Sequence, residues 1–501
     1  MKTSMNAQKL FVSIFSLLIT AGSLFSADPH PLPENHRDLT RPANYEQIKQ
    51  LLQSASEKEF IEMETIGRSV EGRDLFLVKL DHRSSNDPWR VFFYAQQHGN
   101  EPAGKDALLY LVKYISENPD LLPDDVSLWI IPQVNPDGAA ADKRRNANGA
   151  DLNRDHQTLF QPETRALYQT FRRFMPHVAV DCHEFARDSQ GYTKNGWLEW
   201  PIIMMGTANN PLYSKEVVQA GIRWCEEAVP YMRERGHNFA RYFVGGTPPD
   251  DELRYSSPEV DDGRNGLGAY GGLSFIIESG VQRYLPDTNA DLHQRVDAYI
   301  ELFSRFIRDD RYREEDKKRI AVSRAGVIPG FIPTNYFWGN VGSAVTDVKV
   351  IDRMSGRDQV VRTANFMHDL VIKKSVTTPY AYAIDAQYSK KFIPLLEAHQ
   401  IPFQTLSKKE SFRSEGALLV KFDEEEDEIY NRYGGRQIVK ADTSAQKAFD
   451  TGSIIVSLNP EYAIRAILLL EPNQMYGIYN AIEFRDLKDK SGRLPVWRIL
   501  R

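Results

Sequence analysis

The chain has 501 residues, of which 42% are hydrophobic and 26% charged, with a formal net charge of -6. That length exceeds one typical core and sets two folded units as the expectation, while the composition excludes a largely disordered chain. The mild acidity gives no support for a nucleic-acid or polybasic membrane partner.

Lys2 and Lys9 precede an apolar run from Leu10 to Leu24, and small residues follow at Ser23, Ser26 and Ala27. This is the layout of a secretory signal peptide over 1–26, cleaved near Ser26 or Ala27. The run is short for a span and is broken by Ser13, Ser16, Thr20 and Gly22. The expectation is an exported protein, periplasmic or extracellular, with no membrane span after cleavage; an uncleaved anchor is the alternative. Only Cys182 and Cys225 carry thiols, too few for a disulfide framework, and Cys182 reads as a core thiol.

Strand-like runs then alternate with helical ones. Asp74 to Leu80 and Arg90 to Gln96 read as strands, Ala103 to Ile115 as a helix, and Val126 to Val134 as a β-rich run. Thr164 to Phe174 has helical spacing, Val178 to Cys182 is a short strand, and Lys215 to Arg235 is a long helix. Leu273 to Ile277 is another apolar strand before the helix Asn289 to Arg308. The alternation over 40–310 predicts an α/β domain with a largely parallel or mixed central sheet flanked by helices. Arg308 to Arg319 reads as its end and a linker. Short strands at Val345 to Ile351, Asp369 to Lys373, Ala417 to Val420 and Ser453 to Leu458 follow, with helices at Lys390 to Gln400 and Pro460 to Leu470. They predict a second, smaller α+β or β-rich domain over 325–501, whose Tyr336-Phe337-Trp338 reads as core or domain interface. The run Glu424 to Glu428 reads as a solvated face.

Four segments carry chemistry. In His98-Gly99-Asn100-Glu101 an imidazole and a carboxylate stand three apart where a strand gives way to a helix, placing both on one face of its first turn. The pair suits zinc, although His-x-x-Glu alone is a weak signal. Asn135-Pro136-Asp137-Gly138 and the stretch Arg144 to Arg154 pack turn formers, three arginines and a carboxylate into one loop. That composition fits either a basic surface loop or a cleft that grips a substrate carboxylate with guanidinium forks. His177 to Glu184 is an apolar strand ending in His183, which would complete a two-histidine, one-glutamate set with an open position. Glu278 follows the apolar strand Phe275 to Ile277 and becomes a candidate general base if it lies beside a metal.

These ordered segments resemble the zinc carboxypeptidase family related to pancreatic carboxypeptidase A over about 40–310, starting from Ile66-Gly67-Arg68-Ser69-Val70-Glu71-Gly72-Arg73. The resemblance implies the carboxypeptidase-like fold and one zinc ion per chain, on His98, Glu101 and His183. It implies Glu278 as the general base toward a zinc-activated water, Arg144 as the oxyanion partner, and Asn153 with Arg154 as holders of the substrate's terminal carboxylate. Asp151 would orient His98. Arg144 is preferred to Arg145 because the family pattern sets its arginine two before the position of Asn146.

There are departures. The family's active-site tyrosine has no clear counterpart, since neither Tyr255 nor Tyr270 stands in a matching local sequence. Arg154 is followed by Asp155-His156 instead of the commoner asparagine and aromatic pair, and Asp261 to Gly266 reads as a mobile rim. The resemblance implies a metallocarboxypeptidase that releases C-terminal residues from peptides. Two alternatives stay open: a zinc amidohydrolase acting on cell-wall peptides or N-acyl amino acids, and an inactive zinc-bearing binding protein. The substrate class is a peptide or another carboxylate-bearing amide, with no nucleic-acid partner; oligomeric state is not legible. No Gly-x-Ser-x-Gly segment supports a serine nucleophile.

Overall fold

The computed structural model describes residues 32–283, 289–423, 436–442, 445–474, 477–481, 483–484 and 486–500. The expected leader 1–26 and the run Glu424 to Glu428 lie outside the described residues. Eight strands build one sheet: β1 Ile61–Arg68, β2 Asp74–Asp81, β3 Trp89–Ala95, β4 Val126–Ile131, β5 Val178–Ala186, β6 Ile203–Thr207, β7 Phe239–Arg241 and β8 Leu273–Val281. Their order is β1-β2-β4-β3-β5-β8-β6-β7. The central strands β4, β3, β5 and β8 run parallel, whereas β1, β2 and β6 enter antiparallel to a neighbour, so the sheet is mixed.

Helices α1 Tyr45–Ala55, α2 Ala103–Glu117, α3 Pro162–Phe174, α4 Lys215–Glu234 and α5 Leu292–Arg308 flank it. Alternation along β3 explains the two layers. Val91, Phe93 and Ala95 point into one core with Leu108, Trp224 and Phe303, while Phe92 and Tyr94 meet Leu167 and Phe171 of α3 on the other face. A strand covered on both faces must be apolar throughout, which is why Arg90 to Gln96 shows no alternation of polarity. Each fully buried large side chain of this kind contributes roughly 1.5–3 kcal/mol.

The expected linker is different. Arg313–Ala325 forms a further helix, α6. Arg313 pairs with Asp125 at 2.7 Å, and buried Asp316 accepts from Arg223 at 2.8 Å and from the Trp224 indole at 3.0 Å. Ile320 enters the first core. The helix escapes a hydropathy reading because it docks through paired charges and a single isoleucine.

Beyond it, a six-stranded antiparallel sheet takes Ala381–Ile384, Ile454–Ser457 and Val496–Ile499 at its centre, and helices Ser389–Ala398 and Ala463–Leu470 share its core. Residues 331–377 reach back to the first sheet's loops: Thr346–Asp352 pairs with Trp197–Glu199, and Phe366–Met367 with Leu253–Tyr255. On the strand Phe331–Gly339, Tyr336 is buried, Phe337 exposed, and Trp338 meets Tyr255 edge-on at 5.8 Å. Both cysteines are buried and free, and Cys182 packs against Gly104 of α2. Among the described residues no helix is long and apolar enough to cross a membrane.

Candidate metal centre

The parallel neighbours β3, β5 and β8 end on one edge of the sheet, the edge where open α/β folds collect their sites. His98 and Glu101 follow β3, His183 lies late in β5, and Glu278 late in β8. The His98–Glu101 spacing is set by a turn instead of a helix. α2 starts only at Ala103, and the Glu101 amide donates to His98 O at 3.1 Å. Gln96 holds a positive φ of 57° and its Nε2 donates to Gly99 O at 2.8 Å, closing the turn. Gly99 lies against the backbone of Gly138, where a Cβ would stand 2.0 Å from the Gly138 carbonyl carbon. The segment Asn135 to Gly138 thus serves as the floor of the turn. Asn135 caps the short helix Pro136–Ala140 by accepting from the Gly138 amide at 2.8 Å, and its Nδ2 donates to Gln97 O at 3.0 Å.

Three ligand atoms converge. His98 Nδ1 lies 2.9 Å from Glu101 Oε2, His183 Nδ1 lies 3.0 Å from the same oxygen, and the two Nδ1 atoms are 3.1 Å apart. All three residues are 2–3% exposed. Each ring turns its other nitrogen to a buried carboxylate: His98 Nε2 stands 3.1 Å from Asp151 Oδ1, and His183 Nε2 3.0 Å from Asp181 Oδ2. With each Nε2 turned to a carboxylate, the two Nδ1 atoms face the Glu101 carboxylate and each other, a convergence of donor atoms that a bound cation would satisfy. Tetrahedral ligands at 2.0–2.1 Å from zinc stand about 3.3–3.4 Å apart, a few tenths wider than this triangle. The donor set and the spacing fit a divalent metal. His98, Glu101 and His183 could hold one.

Asp151 also accepts from the Asn153 amide at 3.0 Å and from Arg144 Nε at 2.9 Å. Burial alone would raise its pKa, but His98, Arg144 and Arg154 hold it well below the ordinary carboxylate range. Arg144 reaches the cluster: its Nη1 is 3.1 Å from His98 Nδ1 and 3.6 Å from Glu101 Oε1. Glu278 pairs in register with His183, so the two side chains leave adjacent strands on one face of the sheet. Burial pushes its carboxyl up to about 7, a rise opposed by His183 and by a hydrogen bond from Tyr242.

Asn153 and Arg154 are already engaged. Asn153 is buried, with Nδ2 3.1 Å from His183 Nε2 and Oδ1 accepting from the Gly263 amide at 2.7 Å. Arg154 donates to Asn153 O at 2.6 Å and faces Asp261 at 3.7 Å. The segment Asp261 to Gly266, expected as a mobile rim, is packed instead: Asp262 caps the short buried helix Gly263–Gly268 by accepting from Asn265 N at 2.6 Å. Small residues permit that packing, since a Cβ on Gly263 would strike Asp181 and Tyr94.

Three residues near the site escape the linear reading. Asp181 lies two before His183, and the same-face rule of a strand was the signal that could have found it. Arg283 donates to Glu101 Oε1 at 3.2 Å, and Tyr242 donates to Glu278. Both depend on register between strands distant in sequence.

Residues 47–187 match the model of the zinc carboxypeptidase family. Carboxypeptidase 2 of Trichophyton equinum is 27% identical over 237 residues, 42% of each chain, and the probable carboxypeptidase 2 of Arthroderma benhamiae is 38% identical over 214 residues, 39% of this chain and 38% of that one. The carboxypeptidase N catalytic chain of Rattus norvegicus is 34% identical over 230 residues, 36% of this chain and half of its own. The chain thus spans less than half the length of the two fungal relatives. A metallo-carboxypeptidase from Burkholderia cenocepacia aligns with a TM-score of 0.42 at 19% identity, covering 53% of this chain and 69% of that one. The family match lies across the turn, the loop and the strand that bring His98, Glu101 and His183 together, so residues 47–187 are similar to the zinc carboxypeptidase family in the segment that builds this cluster.

Proposed function

We propose that the protein hydrolyses the C-terminal peptide bond of peptides, with Glu278 as general base. The observation that carries this reading is the register pairing of Glu278 with His183, which sets a buried carboxyl on the same sheet face as one of the three residues that could hold a metal. Held by His98, Glu101 and His183, a divalent ion would supply Lewis-acid polarisation and make the attacking water a readier source of a proton. Glu278 takes that proton as the water oxygen bonds to the carbonyl carbon, and returns it to the nitrogen as the C–N bond breaks. Arg144 offers its Nη1 to the oxygen on which charge develops. Asp151 and Asp181 hold the two imidazoles in place. Arg154, with Asn153 bracing it through a backbone oxygen, reads the terminal carboxylate by exchanging its long contact to Asp261 for the substrate.

A second reading draws on that same contact. Asp261 partly offsets the Arg154 charge from 3.7 Å, which suits a different carboxylate-bearing amide, in a cell-wall peptide or an N-acyl amino acid. We further infer export, from the leader-like 1–26, and a division into a catalytic domain over 40–310 and a smaller one over 325–501. The deciding experiment is mass spectrometry of a mixed peptide library incubated with the zinc-loaded protein, with Glu278→Gln as control. Stepwise loss of C-terminal residues, absent in the control, supports the first reading. Intact peptides transfer it to another amide or to a binding role, and full activity in the control refutes Glu278 as the base.

A further inference from the structure

Gly206 of β6 pairs with Ile276 of β8, and two residues away Met204 pairs with Glu278. Tyr242 follows β7 and extends its ladder, its amide donating to Met205 O at 2.9 Å. The Tyr242 side chain lies directly over Gly206: a Cβ there would stand 3.0 Å from Tyr242 Cβ, 3.2 Å from its Cδ1 and 3.4 Å from Ile276 Cγ2. The ring leans on the cluster that contains Met204, on the sheet face from which Glu278 leaves β8, and the Tyr242 hydroxyl opposes the rise that burial imposes on the Glu278 carboxyl. The bare backbone of Gly206 therefore leaves a gap in the sheet face through which an edge tyrosine crosses β6 to reach a carboxyl on β8.

We propose that Tyr242 is the positioning residue of Glu278, and that Gly206 is held free of a side chain so that the phenol can reach it. The inference rests on the general-base reading above. Met204 and Ile276 offer Glu278 no hydrogen bond, so a carboxyl flanked by them turns about its terminal torsion with little to hold it. One donated O–H fixes which oxygen faces the metal cluster. Tyr242→Phe keeps the ring and removes only that donor. Gly206→Ala keeps the hydroxyl and displaces the ring.

Kinetics of both variants and of the double variant test this on the zinc-loaded protein, with peptide as substrate. Each single change lowers kcat about tenfold and leaves KM and zinc content within twofold. The double variant is no slower than the slower single one, because both act through one hydrogen bond. A kcat for Tyr242→Phe within twofold of the parent, or losses that multiply in the double variant, overturns the proposal. A readout independent of turnover is the 13Cζ resonance of labelled Tyr242, assigned by its disappearance in Tyr242→Phe. It shifts in Glu278→Gln and in Gly206→Ala; a resonance unmoved by both overturns the proposal. Full activity of Glu278→Gln sinks the general-base reading instead, while a shift of the Tyr242 resonance in that variant still reports the contact.

Discussion

Asp151→Asn removes one charge from the metal centre while preserving the shape of the side chain. Asp151 receives three donors: His98 Nε2 at 3.1 Å, the Asn153 amide at 3.0 Å and Arg144 Nε at 2.9 Å. An asparagine keeps one acceptor oxygen and turns an NH2 toward either His98 or Arg144, where donor meets donor. One charge-assisted hydrogen bond is lost outright, about 1.5–3 kcal/mol. His98 also loses the anion that fixes its tautomer and strengthens its Nδ1 as a ligand. Zinc affinity should fall ~10–100-fold, the usual cost of losing a carboxylate behind a metal-bound imidazole. Competition against a chromophoric chelator at neutral pH measures it. Asp137→Asn is the control, because Asp137 is a buried carboxylate of the same loop region that bonds Ser69 and Arg73 and touches no ligand. It should lower the unfolding midpoint and leave zinc affinity unchanged. If Asp151→Asn binds zinc within twofold of the parent, or the control weakens binding equally, the orienting role is wrong.

Other expectations are open to measurement. Gly104 lets α2 close on β5, and a Cβ there would stand 2.6 Å from Cys182 Cβ, so Gly104→Ala should cost about 1–3 kcal/mol in denaturant unfolding, restored in part by adding Cys182→Gly; an unchanged midpoint would mean the two elements yield freely. Burial pushes the Cys225 thiol up to about 12 and that of Cys182 well above the ordinary value, so neither should react with a thiol reagent until the protein unfolds. Burial, with Arg90 and Arg324 beside His177, lowers that imidazole to about 3, and burial lowers His399 likewise. Their folded pKa lies below the unfolded value near 6.5. The unfolded chain therefore binds more protons between pH 3 and 6.5. Stability contributed by the neutral rings is complete above 6.5 and lost as pH falls, by about 2 kcal/mol per histidine between pH 7 and 5. Urea unfolding across that range should show the slope, and His399→Asn should flatten it; a slope unaffected by the substitution would place the titration elsewhere.

Nearest-neighbour chemistry made much of this protein legible in its order of residues. Apolar runs without polar alternation mark β3, β5 and β8, because both faces of a central strand are covered. His98, Glu101 and His183 stood out because each follows or ends such a run, and Asp151 because it sits among turn formers. Charged docking hid α6, whose apolar content is too small to produce a stripe. The turn that sets His98 three from Glu101 also looked helical in one dimension, since turns and first helical turns share that spacing. Only the folded sheet decided the rest. Asp181, Arg283 and Tyr242 join the site through pairings between strands separated by dozens of residues. A one-residue change of register would turn each of them to the opposite face, and no local pattern fixes that register.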